Sequence, residues 1–340
     1  MQRTCLFSIL IILAGPAVYS QTPATDTKSV QETARAYTRQ GDYTNALVVL
    51  NEGLKKDPQN LELSKDIAFN YYLEKDFDKG IAVGKGLVDR PDADVTSYQI
   101  LALLYKAIGE AKECDKLYKA GIRRFPQSGV LLSEYGEMLW AKQDYSAIKL
   151  WEKGIEIDPS YSGNYYNASR YYFLTQDKVW GLIYGEIFLN LESYSKRTAE
   201  IKDLLLEGYK KLFTDVNMQK NQDTKSPFVI AYLNIIGKLS FTVARGISTE
   251  SLTVLRTKFI INWFETYPSN YPFHLFDYER QLLKDGMFDA YNQWLFGAAE
   301  NLTVFQAWTT AHSDEYTRFT DFQKGRVFRM PGGQYYQEPK

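Results

Sequence analysis

The stretch "GDYTNALVVLNEGLKKDP", residues 41–58, carries a pattern that returns along the chain. It opens on a Gly-Asp pair typical of a turn and continues with apolar residues at helical spacing. It ends at a proline, which cannot continue a helix interior. Similar stretches end at Pro91, Pro126 and Pro159, so successive prolines are 33, 35 and 33 residues apart. Such a period indicates a repeated structural unit rather than a site.

The positions that recur within the period are those where two helices must approach closely. Small side chains allow close approach, and bulky ones fill the space beside them. Small residues follow the turns at Ala46, Gly80, Cys114 and Ala147, and glycines precede the prolines at Gly53, Gly86, Gly121 and Gly154. We therefore expect these residues, Cys114 included, to be close-packing points in the core.

This pattern resembles the tetratricopeptide repeat (TPR) family, whose unit has 34 residues and two helices. The family pattern has a small residue and an aromatic residue in its first helix, helix A, and Leu139 takes the aromatic position in the fourth unit. The matches are Ala34 and Tyr37, Ala68 and Tyr71, Ala102 and Tyr105, Gly136 and Leu139, and Ala168 and Tyr171. Gly84 departs from the pattern, because it is small where the family has a bulky residue. The resemblance implies an all-α solenoid of helical hairpins, a right-handed superhelix in which stacked neighbours complete the core.

The rest of the chain is assigned around this array. We expect a signal peptide at 1–20, a disordered segment at 21–28 and about five units at 29–192. A C-terminal helical domain follows at 193–323, including a capping helix at about 302–323, and then an irregular tail at 324–340. Within that domain, residues 272–301 repeat the seven-residue spacing of Ala46 to Gly53 at Ala290 to Gly297. A degenerate repeat and an ordinary amphipathic hairpin both explain that spacing.

The amino terminus predicts export. Arg3 precedes an apolar run, and Val18 and Ser20 stand at the positions that a signal peptidase reads. The run is about half of the ~20 residues that a membrane span needs. The ending "VYSQ" resembles exported proteins of the Bacteroidetes type, which implies the periplasm or envelope of a Gram-negative bacterium, or secretion. Cleavage before Gln21 leaves Cys114 as the single cysteine, without a disulfide partner in the chain.

The residues that could carry chemistry are few. No phosphate loop, nucleophile elbow or zinc-protease motif occurs. His274 and Asp277 have the i, i+3 spacing of one helix face, but two ligands do not make a metal site. The net charge of -1 lacks the basic footprint of nucleic-acid binding. We predict no catalytic residue, metal or cofactor.

The resemblance implies instead a concave groove lined by helix A of each unit. The chain is then a non-catalytic protein-interaction or assembly scaffold that binds a peptide or protein there. Two alternatives remain: the groove aromatics pack on the protein's own C-terminal half, or a small-ligand or enzyme site lies around His274, Asp277 and Trp294. The groove starts basic and turns aromatic, at Arg35, Arg39, Lys65, Phe69, Tyr72, Lys106, Glu137, Trp140, Tyr165 and Tyr172.

Overall fold

The computed structural model describes residues 27–175, 177–214, 218 and 222–337. The expected signal peptide at 1–20 lies outside these residues, and the segment 21–28 overlaps them only where the first helix begins, at Thr27. The described residues form helices and connecting turns, with no strand among them. The chain divides between Ala111 and Lys112 into two compact units, which are described separately.

The first unit consists of helices joined by short turns. Each turn is set by local chemistry: Gly41 has a φ of 77°, and the Asp42 and Asp76 carboxylates cap the helices that follow them. The Asp94 and Ser97 side chains form a capping box. The helices are α1 (Thr27–Arg39), α2 (Tyr43–Lys56), α3 (Leu61–Glu74), α4 (Phe77–Asp89) and α5 (Val95–Ala107).

Two of the expected small positions of the first unit, Gly53 and Gly80, are closely packed, and so is Gly84, where the family has a bulky residue. A Cβ on Gly53 would lie 2.8 Å from Val30 Cγ1, and one on Gly84 would lie 3.0 Å from Leu101 Cδ1. Gly86, expected as a close-packing point, has no atom within 4 Å of a Cβ, and Leu87 is buried instead. Leu87 is seven residues after Gly80, as Gly53 is after Ala46, so counting from the proline misplaces this position by one residue.

The second unit contains the remaining helices. Cys114 is buried there, as expected of a small core residue. The repeat helices are α6 (Ala111–Arg124, which begins at the junction), α7 (Gly129–Ala141), α8 (Ala147–Ile157), α9 (Ser162–Leu174) and α10 (Lys178–Leu191). The later ones are α11 (Arg197–Thr214), α12 (Pro227–Lys238), α13 (Thr249–Thr266), α14 (His274–Lys284), α15 (Phe288–Asn292), α16 (Ala298–Glu300), α17 (Leu302–Ala311) and α18 (Ser313–Gly325).

One hydrophobic core runs through the second unit from Ala147 to Tyr336. It joins Trp151 of α8 and Trp180 of α10 to Trp263 of α13 in a single cluster. The array was expected to end at position 192, but the core includes residues from both sides of that position in the sequence. Among the described residues, no helix has the length and apolar character needed to cross a membrane.

The C-terminal helices differ from the expected repeat in two places. A π-helical turn at Gln293–Gly297 separates α15 from α16, so the spacing of Ala290 to Gly297 is not that of an uninterrupted α-helix. The expected capping helix at 302–323 is two helices, because the backbone breaks at His312.

The segment after α18 is irregular but packed. Phe328, Met330 and Tyr336 are buried in the core of the second unit. The Tyr336 ring stacks 4.9 Å from that of Phe228, and its hydroxyl donates to the Pro272 carbonyl at 2.7 Å. This segment therefore contributes to the core.

Candidate functional site

In the first unit, α1 and α3 are joined by a seam of polar side chains. Gln31 Nε2 donates to Asp66 Oδ2 at 2.6 Å, and Thr38 Oγ1 donates to Asn70 Oδ1 at 2.8 Å. Gln31, Arg35 and Thr38 have the i, i+4, i+7 spacing of one helix face. Arg35 therefore lies on the face of α1 that meets α3.

Four of the groove residues predicted in the first unit have exposed side chains. Arg35 and Arg39 are exposed, and neither has an ion pair among the described residues. Phe69 is 39% exposed and stacks on Tyr72 with ring centroids 6.1 Å apart. Lys106 on α5 is exposed as well. These residues form a surface that is cationic on α1 and aromatic on α3.

Lys65 has a structural role in this unit. Its side chain is buried, and Nζ bonds Asp94 at 2.7 Å and Glu62 at 2.5 Å. Burial alone would lower the pKa of Lys65, but the hydrogen bonds to Asp94 and Glu62 raise it overall. Lys65 thus holds α3 to the start of α5, and its charge is already neutralised.

In the second unit, two predicted residues connect helices. Glu137 of α7 is exposed and accepts a hydrogen bond from Asn167 Nδ2 of α9 at 2.9 Å. Trp140 is half-buried, with its ring 5.6 Å from those of both Tyr145 and Tyr171. Tyr145, which follows α7, is 61% exposed. Glu137 and Trp140 remain near the surface while joining adjacent repeats.

The other two predicted residues of the second unit are committed to internal contacts. Tyr165 is 2% exposed and belongs to the core, so it is not available to a partner. The Tyr172 hydroxyl donates to Glu152 and accepts from Gln337 Nε2 at 3.2 Å. The C-terminal segment thus contacts Tyr172, as in the alternative in which groove aromatics pack internally.

The residues of the alternative site do not come together. His274 is half-buried against Phe328, and burial and Arg326 lower its pKa. Asp277 is exposed, and Trp294 lines a cavity whose lining includes neither of them. In the described part of the chain, no group of three His, Cys, Asp or Glu side chains is arranged to hold a metal ion.

A buried charge cluster was missed by the sequence reasoning. Arg256 of α13 forms a bidentate pair with Glu186 of α10, with Nη1 to Oε2 at 2.7 Å. Glu279 of α14 lies 3.4 Å from the same guanidinium, Tyr209 accepts from Nη1 at 3.2 Å, and Tyr291 donates to Glu186 at 2.8 Å. A signal was present: Glu186 is the one acidic residue of the otherwise largely apolar helix α10.

The protonation of this cluster follows from burial and its neighbours. Burial alone would raise the pKa of Glu186, but the charge and hydrogen bonds of Arg256 lower it overall. Burial and the Glu186 carboxylate raise the pKa of Glu279 well above its usual range. The charge of Arg256 is thus matched by Glu186, the raised pKa favours the protonated form of Glu279, and the cluster joins α10, α13 and α14.

A cavity of about 480 Å³ lies at the start of α11. Lys202 of α11 places its Nζ 4.2 Å from the centroid of the Trp294 ring, and burial lowers the pKa of Lys202 to about 8. Trp294 belongs to the π-helical turn, a feature that often occurs at functional sites. The other lining residues are Ser193, Tyr194, Ser195, Thr198, Ala199, Asp203, Ala298, Ala299, Phe305, Tyr316 and Thr320.

The helix pairs define an all-α helical repeat fold, and the solved structures to which this chain is similar include TPR proteins. TTC0263, a TPR protein of Thermus thermophilus, is 16% identical over 54% of this chain and 98% of its own, with a TM-score of 0.41. The MamA protein is 18% identical over 56% and 96%, with a TM-score of 0.36. A TPR protein from Parabacteroides merdae is 15% identical over 82% and 96%, with a TM-score of 0.36. No protein-family model and no curated protein matches the chain.

Proposed function

We propose that this chain is a non-catalytic binding protein that holds a peptide or protein segment on the α1–α3 face of its first unit. The observation that carries the proposal is the exposure of Arg35 and Phe69 on that face. Aromatic and arginine side chains are the residues that most often anchor protein partners. The seam bonds of Gln31 and Thr38 support the two helices beneath them.

The chemistry of the face indicates the partner segment. Arg35 and Arg39 favour a carboxylate, which a guanidinium binds in bidentate geometry. Phe69 and Tyr72 offer aromatic surface to an apolar side chain beside it. The expected partner is therefore a segment in which an acidic residue stands next to an aromatic or aliphatic one.

The proposal is tested by placing a photo-crosslinking phenylalanine analogue at Phe69 and, in a matched control, at Val48. Val48 is exposed on α2, away from the face proposed here. Irradiation of the native host should give a discrete adduct from position 69 and none from position 48. The adduct should disappear in the variant Arg35→Glu, Arg39→Glu. Adducts that form equally at both positions, or that persist in that variant, contradict the proposal.

We also propose that the chain acts outside the cytoplasm, in the cell envelope of a Gram-negative bacterium. This rests on the signal-like residues 1–20 alone. Amino-terminal sequencing of the protein from the envelope fraction should begin at Gln21. A variant with Leu10→Arg and Leu13→Arg should stay in the cytoplasm, since a charged run is not recognised as a signal. Cytoplasmic accumulation of the unaltered, uncleaved chain would contradict export.

A further inference from the structure

The cavity beside Lys202 is built between parts of the second unit that are distant in sequence. The connection after α10 and the first turns of α11 form one side, with Thr198 and Lys202 among the lining residues. Trp294 of the π-helical turn, Phe305 of α17 and Tyr316 of α18 line it as well. Its volume of about 480 Å³ falls within the range of small-molecule sites.

Lys202 is the cation of this cavity. Its ammonium lies over the Trp294 ring, and no carboxylate of the described residues lies within ion-pair distance of it. Asp203 is the next residue of α11 and is exposed, but consecutive helical residues do not face each other. A partly desolvated ammonium without a carboxylate partner gains by binding an anion.

Trp294 is positioned by its neighbours. It is buried, and its ring lies 5.9 Å from that of Tyr291 and 6.0 Å from that of Phe319. The π-helical turn changes the register of the helix at this residue. The indole therefore supplies a fixed aromatic surface below the Lys202 ammonium.

We propose that this cavity binds a small organic acid, a carboxylate carried on an aromatic or apolar body. The carboxylate meets the Lys202 ammonium. The apolar body lies among Trp294, Phe305 and Tyr316. Because Lys202 is the single cation among the described residues of the lining, a monoanion suits the site better than a multiply charged phosphate. This inference concerns the second unit and does not depend on the proposed function of the first.

The test uses the full chain and two probes, phenylacetate and indole-3-acetate, each paired with its neutral primary amide. Binding is measured by isothermal titration and by ligand-observed NMR up to about 10 mM, since fragment-sized ligands bind weakly. Both acids should bind saturably, and each amide should bind about tenfold or more weakly, because a charge-assisted hydrogen bond is lost. The absence of saturable binding by either acid overturns the proposal.

Two variants assign the binding to the lysine. Lys202→Met keeps a long apolar side chain and should weaken acid binding about tenfold or more, whereas Lys210→Met should leave it unchanged. Lys210 lies on the same helix in an exposed ion pair with Glu207, so it controls for net charge. Acid binding that is equal in Lys202→Met and the unaltered chain overturns the proposal. Circular dichroism of each variant checks that it is folded.

A second measurement follows the titration of the Lys202 amine itself in the unaltered chain. Reductive methylation with ¹³C-formaldehyde gives each lysine an NMR signal, and the signal missing from Lys202→Met is that of Lys202. Phenylacetate should raise the pKa of Lys202 from about 8, because an anion stabilises the ammonium. An unchanged titration of that signal at saturating phenylacetate contradicts a carboxylate bound at Lys202.

Discussion

Arg256 and Glu186, 70 residues apart in sequence, form a bidentate ion pair in the core of the second unit. Both side chains are almost fully buried. Taking two charges out of water is costly, and the cost is offset only when the remaining polar atoms are also bonded. Tyr209 and Tyr291 supply such bonds here, while Arg256 Nε has no hydrogen-bond partner among the described residues. The pair therefore connects α10 to α13 across the core.

Removing one charge of this pair should be far more costly than changing its neutral neighbour. We expect Glu186→Gln to lower the free energy of unfolding by about 3–5 kcal/mol, because it leaves Arg256 buried without a counter-charge. Below about pH 4.5, where Glu279 is protonated in both the folded and the unfolded chain, Glu279→Gln should change it by less than about 1 kcal/mol, because the amide resembles the protonated carboxyl. Urea unfolding followed by circular dichroism checks both. Equal losses would show that both carboxylates are charged.

The same cluster predicts a pH dependence. The pKa of Glu279 is raised above its ordinary value of 4.5 in the folded protein. Its contribution is therefore fully present below about pH 4.5 and decreases as the pH rises through the folded pKa. Glu279→Gln removes this loss, so the stability of the variant relative to the unaltered chain should increase from pH 5 to pH 9. A difference independent of pH would contradict the raised pKa.

Gly86 and Gly154 each stand five residues before a proline, but replacing them with alanine should have opposite effects on stability. In Gly154→Ala the Cβ would lie 2.3 Å from Asn164 Nδ2, so we expect a loss of about 1–3 kcal/mol. Gly86 lies in the interior of α4 with open space around it, so Gly86→Ala should gain about 0.5–1 kcal/mol. Thermal unfolding of each variant measures the difference. A loss at Gly86 as large as that at Gly154 would contradict the register found here.

The C-terminal segment should be required for the stability of the second unit. Tyr336→Ala removes the stack on Phe228 and the hydrogen bond to Pro272, so we expect a loss of about 3 kcal/mol. Val327→Ala, in the same segment but 74% exposed, should change stability by less than about 0.5 kcal/mol. Denaturant unfolding monitored by tryptophan fluorescence distinguishes the two. Similar small effects would mean that the segment is dispensable.

The buried Lys202 ammonium should lower the free energy of unfolding at neutral pH, and this cost should disappear at high pH. Burial lowers its pKa from 10.5 to about 8, which corresponds to at most about 3 kcal/mol. The unfolded chain binds the additional proton between these values, so this cost is present below pH 8 and disappears towards pH 10.5. Lys202→Met should therefore be more stable than the unaltered chain at pH 7, by an amount that shrinks above pH 8. The other titratable groups lining the cavity, Asp203, Tyr194 and Tyr316, are unchanged in that comparison.

The repeat could be predicted from the sequence because its signals are local. The turn at Gly41, the small residues Ala46 and Gly53 and the stop at Pro58 act over a few residues, and each can be read without knowing the rest of the chain. The groove positions were less predictable. The same register places Arg35 in solvent and Tyr165 in the core, because burial depends on what covers each helix.

Helical periodicity, turn residues and prolines were sufficient to predict the helical repeat from the sequence. The positions of the buried charges and of the cavity depend instead on how distant helices pack. Glu186 meets Arg256, and Lys202 meets Trp294, across separations of 70 and 92 residues. No local spacing encodes such contacts, since they arise only when helices pack against one core and exclude water from the groups between them.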